Sequence, residues 1–198
     1  SINTKKFIKK FSKKGKINLY DNHKELAENS ELIISCVGND NDLEDIYLRK
    51  NKILDGVKKN TIIVDHTTAS LNISVKLFKK FRRKQAFFFD APVSGGEIGA
   101  QKGNLAIMVG GEKNKFEVLK KSLDCYYKSM IYMGKSGNGQ LTKMVNQICV
   151  ASIIQGLAEG LNFARKKKLN VENLLEVIQN GAAQSWQLEN RSITMWNN

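Results

Sequence analysis

DAPVSGGEIGAQKGNLAIMVGG, residues 90–111, holds the one proline of the chain and six of its fifteen glycines. A glycine gives up more backbone freedom on folding than any other residue, so such a stretch weakens a fold rather than strengthening it. Just before it, residues 86–89 (AFFF) read as a buried strand, and residues 105–109 at its far end read as another. A permissive loop between two firm strands is expected where something must approach the main chain closely.

Working outward, short apolar runs at 17–20, 32–37, 61–65 and about 129–133 have strand character. Helical spacing appears near 23–29, 41–48, 70–84 and 113–124, and over 1–14, where Ile2, Phe7, Ile8 and Phe11 stand among lysines behind Ser1 as a possible cap. Short apolar strands alternating with helices predict an α/β fold with a parallel sheet. After Gly139 the pattern changes. One long helix runs from Gln140 to about Lys167, with Leu141, Met144, Val145, Ile148, Ile153, Ile154, Leu157 and Leu161 on most of its sides. A helix apolar nearly all round is expected to be buried between other elements. Two further helices follow near 171–180 and 185–196. The expected domains are therefore an α/β domain over 1–136 and an all-α part over 137–198.

Composition narrows the function. With 41% hydrophobic and 26% charged residues, the chain reads as an ordinary soluble protein. It contains no run of about 18 uncharged apolar residues, so no membrane span is expected. Cys36, Cys125 and Cys149 are odd in number and lack metal-ligand spacing, which suggests free thiols in a reducing cytoplasm and no metal site. The net charge of +13 comes from scattered lysines with only five arginines and no interleaved aromatics. Base readers favour arginine and stacking aromatics, so solvated helix faces are the better reading than nucleic-acid binding. Such a field can also steer an anionic ligand.

An α/β sheet places ligands at the carboxyl ends of its strands. Here those ends are Val37-Gly38-Asn39, Asp65-His66-Thr67-Thr68, the loop from Asp90, and Gly134-Lys135-Ser136-Gly137. Turn chemistry accounts for any one of them, and four together suggest a cleft. GKSGNGQLTKMVNQ, residues 134–147, is not a dinucleotide fingerprint, because Thr142 stands at the third glycine position and no acidic residue follows at the right distance. Its Lys143, Asn146 and Gln147 stand at i, i+3 and i+4, on one side of the helix. Two readings stay open: a lysine that snorkels to water, or a partly buried proton donor with two amides orienting a substrate. His23 and His66 are isolated, and the acidic run from Asp40 to Asp45 reads as a helix N-terminus complementing its dipole.

Taken together, residues 90–111 and 134–147 resemble the substrate-binding and catalytic signatures of the β-hydroxyacid dehydrogenase family, which includes 3-hydroxyisobutyrate dehydrogenases. ISCVGNDNDL, IIVDHTTAS and GAAQSWQLENR resemble further family segments. The resemblance implies a Rossmann-like parallel sheet domain, a long interdomain helix and an all-α domain. It implies hydride transfer between NAD or NADP and a small 3-hydroxy acid or its semialdehyde, with Lys143 as general acid/base. Ser94, Gly95 and Gly96 would hold the substrate carboxylate, with Asn146 beside the reacting oxygen and Gln147 also in the substrate site. Val37, Gly38, Asp42, Thr67 and Thr68 would contact the dinucleotide. The family commonly carries a second asparagine where this chain has Gln147, which bears on substrate size. The family's opening G-x-G-x-x-G turn and its last helices have no counterpart here, so the resemblance implies an internal fragment, truncated at both ends. Residues 1–198 alone are then expected to bind neither nucleotide measurably, and the full-length protein to be a homo-oligomer. A non-catalytic module with the same fold and an imine-reducing relative are the rival readings; imine-reducing relatives generally lack the lysine.

Overall fold

The phenylalanines of residues 87–89 lie in the middle of a six-stranded sheet. The structure, a computed structural model, describes residues 9–11, 15 and 17–197. The helix expected over 1–14 lies largely outside them, although residues 9–11 are helical.

The first part alternates as expected: α1 (His23–Glu28), β1 (Leu32–Ser35), α2 (Asp40–Tyr47), α3 (Ile53–Gly56), β2 (Ile62–Asp65), α4 (Leu71–Arg83) and β3 (Phe87–Asp90). β1, β2 and β3 are parallel neighbours, with Ile33 opposite Ile63 and Ile63 opposite Phe88. Side chains alternate across a strand, so Ile63 and Phe88 face one side while Val64 and Phe89 face the other. The first face packs on Leu43, Tyr47, Leu77 and Phe81, where the Phe81 and Phe88 rings stack 5.8 Å apart with Tyr47 edge-on to both. The second packs on Ile107, Val109, Leu119 and Met130. Asn39 and Ser70 cap α2 and α4 by accepting first-turn amide hydrogens, fixing where each helix leaves the strand ends.

Then follow β4 (Val93–Ser94), α5 (Gly96–Gln101), β5 (Leu105–Gly110), α6 (Lys113–Ser122) and β6 (Tyr127–Gly134). β5 and β6 are parallel to each other, and β5 meets β3 and β4 antiparallel. The architecture is the Rossmann-like α/β sheet expected, with one reversal. A parallel return needs a helix laid across the sheet, whereas residues 91–104 form the short β4, which pairs back onto β5, and the six-residue α5. Residues 17–20 are not a strand. They have strand-like composition but no ladder partner, and Leu19 is exposed.

The described chain forms two compact units, residues 1–142 and 143–198, and the division falls inside α7 (Asn138–Lys166). In the second unit Leu161 of α7 packs with Leu175 of α8 (Val171–Gln179) and Leu188 of α9 (Trp186–Asn197). The expectation that α7 is buried all round is not met. Past Lys143 only Leu161 and Ala164 are buried on it, while Met144, Val145, Ile148, Ile153 and Ile154 are exposed. A helix apolar on most sides needs cover on more than one of them, and α8 and α9 supply it only near its end. Among the described residues α7 is also the one helix long and apolar enough, by length and composition, to cross a membrane. The uncharged-run criterion passed over it because Lys143 and Glu159 interrupt the run while the mean hydropathy stays high. A core helix of a soluble protein meets the same test.

Candidate active site

The carboxyl ends of β1 and β2 are joined by a buried chain of hydroxyls around one carboxylate. Asp65 Oδ1 accepts from Ser35 Oγ and Thr67 Oγ1, each at 2.7 Å, and from the Thr67 amide at 3.2 Å. Ser35 gives its proton to Asp65, so the Tyr47 hydroxyl donates to Ser35 Oγ, at 2.6 Å. Thr67 Oγ1 in turn accepts the Val37 amide hydrogen at 3.0 Å. Burial pushes the Asp65 carboxyl above the usual carboxylate range against these bonds, and its Oδ2 is buried without a partner. Next along β1, the Gly38 amide donates to Asp42 Oδ2 at 3.0 Å. Of the five residues expected at a dinucleotide, Gly38 and Thr68 are exposed, Val37 and Asp42 are half-buried, and Thr67 is buried. The side chains of Thr67 and Asp42 are thus engaged in shaping the surface that Val37, Gly38 and Thr68 present.

The end of β3 holds the head of α7. Asp90 Oδ1 accepts the Gly137 amide hydrogen at 2.7 Å, and Oδ2 accepts that of Gln140 at 3.2 Å. Helix starts leave amide hydrogens without partners, and here a carboxylate from another element supplies the cap. Burial raises the Asp90 pKa, opposed by those amide bonds. Gly139 lets the two main chains touch. A Cβ there would lie 2.5 Å from the Met108 carbonyl oxygen and closer still to that of Asp90.

The glycine-rich stretch is more structured than a loop. Ser94 is half-buried on β4, opposite Ala106, and its hydroxyl has no hydrogen-bond partner among the described residues. Gly95 and Gly96 follow at φ +134° and +61°, conformations that side chains disfavour, and open α5. A Cβ on Gly95 would press on Leu105 Cδ2 at 3.2 Å, whereas one on Gly96 would point into open space. Gly96 therefore has open space beside its main chain and is set by its positive φ, whereas Gly95 packs against Leu105.

On α7, Lys143 is buried to 8% exposure, and that burial lowers its ammonium pKa. Asn146 is half-buried and donates to Gln147 Oε1 at 3.0 Å; Gln147 is exposed. His66 is not isolated. Its Nδ1 donates to the Ala91 carbonyl at 2.6 Å, and its Nε2 accepts from the Tyr126 hydroxyl at 2.7 Å, an arrangement for the neutral ring that agrees with a pKa lowered by burial. Tyr126 was beyond sequence reasoning, because sixty residues separate the pair. Among the described residues no three His, Cys, Asp or Glu side chains gather as a metal site would require.

Two family models cover the chain almost end to end. One, the NAD binding domain of 6-phosphogluconate dehydrogenase, matches residues 2–134. The other, the NAD-binding domain of NADP-dependent 3-hydroxyisobutyrate dehydrogenase, matches residues 137–197. The chain belongs to the β-hydroxyacid dehydrogenase family. The cofactor that goes with both domains is NAD or NADP. This family member is 45% identical over 176 residues to an uncharacterized oxidoreductase of Shewanella frigidimarina, covering 89% of this chain and 60% of that one. It is 34% identical over 171 residues to the mitochondrial 3-hydroxyisobutyrate dehydrogenase of Drosophila melanogaster, covering 86% and 52%. In fold it is similar to the Mycobacterium tuberculosis 3-hydroxyisobutyrate dehydrogenase, with a TM-score of 0.79 at 24% identity over 87% of this chain and 58% of that one. An imine reductase of Myxococcus stipitatus shares the fold too, with a TM-score of 0.73 at 16% identity, over 82% and 56%. The chain spans roughly half to three-fifths of the length of the curated relatives it matches.

Proposed function

We propose that the protein carrying this chain is an oxidoreductase acting between NAD or NADP and a small 3-hydroxy acid or its semialdehyde. The observation that carries the reading is Lys143, a buried lysine with a lowered pKa on the first turns of the helix that Asp90 caps. Burial lowers its pKa and so favours the neutral amine, the form in which a lysine can act as a general base. The strand ends fit a dinucleotide, since Gly38 and Thr68 are exposed at the carboxyl ends of parallel strands while Thr67 and Asp42 brace them from behind. When bound, NAD or NADP supplies the hydride acceptor or donor. In the oxidation, neutral Lys143 takes the proton of the substrate hydroxyl. In the reduction, the Lys143 ammonium gives a proton to the carbonyl oxygen. Asn146 and Gln147 orient the substrate, and the Ser94 hydroxyl, which has no partner among the described residues, binds its carboxylate with the main chain at Gly95 and Gly96.

The carboxylate assignment is tested in the full-length protein with two substrates, a 3-hydroxy acid and the corresponding alcohol without its acid group. A hydrogen bond to a charged group contributes about 1.5–3 kcal/mol, so Ser94→Ala raises KM for the acid by roughly ten-fold or more. The alcohol is a poor substrate for wild type and nearly indifferent to the change. Equal losses on both substrates overturn the role. The structural likeness to an imine reductase makes an imine the third substrate to assay; its reduction, with the hydroxy acid inert, would favour that reading instead.

A further inference from the structure

Gln140 is an uncharged polar side chain buried to 1% exposure, at a place where an apolar one would cost less to bury. Both heteroatoms of its amide are used. Nε2 donates to the Thr67 carbonyl at 2.7 Å, and Oε1 accepts the Ala69 amide hydrogen at 3.0 Å. These bonds fall on either side of Thr68, which is exposed. The Gln140 main-chain amide is itself held by Asp90. One side chain thus clamps residues 67–69 to the first turn of α7, from both flanks of the residue offered to solvent.

We propose that Gln140 is a positioning residue for the dinucleotide, holding Thr68 in its presented conformation and tying that loop to the helix that carries Lys143. The inference rests on reading the strand ends as the NAD(P) surface. Few side chains could do this work. A primary amide offers a donor and an acceptor at the same reach. Asparagine is one methylene short, methionine offers neither, and an ionised glutamate offers no donor and buries a charge. A protonated glutamate, however, restores both bonds, with its O–H toward Thr67 and its C=O toward Ala69. The titratable groups around the position are Asp90 on the Gln140 amide, Asp65 on the Thr67 amide, the neutral His66, and Lys143 on the same helix. Burial and the two carboxylates all favour the protonated form of a glutamate there as pH falls.

The test is equilibrium binding of NADH and NADPH to the full-length protein by nucleotide fluorescence, at pH 8 and pH 5.5, for wild type, Gln140→Glu and Gln140→Met. Thermal unfolding of each variant is followed in parallel. At pH 8 both variants bind roughly ten-fold or more weakly than wild type, as the loss of two buried hydrogen bonds would give. At pH 5.5 Gln140→Glu recovers most of the loss relative to wild type, and Gln140→Met recovers none. The parallel unfolding curves separate positioning from bulk stability: binding is compared only at temperatures where each variant is fully folded at both pH values, and a binding loss at pH 8 that vanishes under that restriction also overturns the inference. Variants that bind as tightly as wild type at pH 8, or a glutamate variant equally weak at both pH values, overturn the inference. Wild-type protein that binds neither nucleotide overturns instead the reading of the strand ends.

Discussion

Replacing Lys143 by alanine in the full-length protein lowers turnover by roughly 10²–10⁴, the usual contribution of a positioned general acid/base. Dinucleotide affinity changes little, because the strand-end surface lies on residues other than Lys143. Steady-state kinetics and nucleotide binding on the same preparation check both halves, and near-normal turnover in a folded variant would remove the mechanism. The pH profile gives a sharper form. Burial disfavours the charged amine, so Lys143 loses its proton below the ordinary lysine pKa. Oxidation needs the neutral amine and rises as pH increases through that pKa, then levels. Reduction needs the ammonium and falls over the same interval. The two limbs cross with opposite slopes in wild type and flatten in Lys143→Ala.

Replacing Gly139 by alanine destabilises the first unit by about 2–3 kcal/mol, the cost of overpacking a site that cannot relax. The added methyl would collide with the Asp90 and Met108 carbonyl oxygens, both main chain, so no side-chain rotation relieves the clash. For a chain of this size the melting temperature falls by roughly 5–10 °C. Calorimetry or denaturant unfolding measures it, and an unchanged midpoint would mean the helix head is not docked where the geometry places it.

The fold was legible where the sequence carries its own period. The β2 and β3 strands are unbroken apolar runs because both faces are covered, and Asn39 and Ser70 mark helix starts. β4, α3 and α5, of two to six residues, hold fewer than two repeats of their own period, so the sequence shows only a permissive loop over β4 and α5 and gives no signal for α3. The site was legible as a list of residue types and not as a set of bonds. Lys143 stood out as a polar residue on an apolar helix, yet its neighbours in sequence could not decide between water and burial. Asp90 opens the glycine-rich stretch, but its partners lie 47 and 50 residues further on. Nothing local in the sequence marks Asp90 as a helix cap, Gln140 as a clamp, or Tyr126 as the partner of His66. Residues 17–20 and the cover of α7 failed for the same reason, because composition states what a segment prefers and not whether a partner is there.

The cap on α7 divides one continuous helix into two kinetic regimes. Its head is closed off by Asp90, Gly139 and Gln140, so amide hydrogens there exchange with solvent deuterium only when the sheet's own packing opens. From Val145 to Ile154 the apolar side chains already face water, and opening that segment exposes little further surface. Exchange along the helix therefore quickens abruptly after Lys143, although one α-helix runs through both segments.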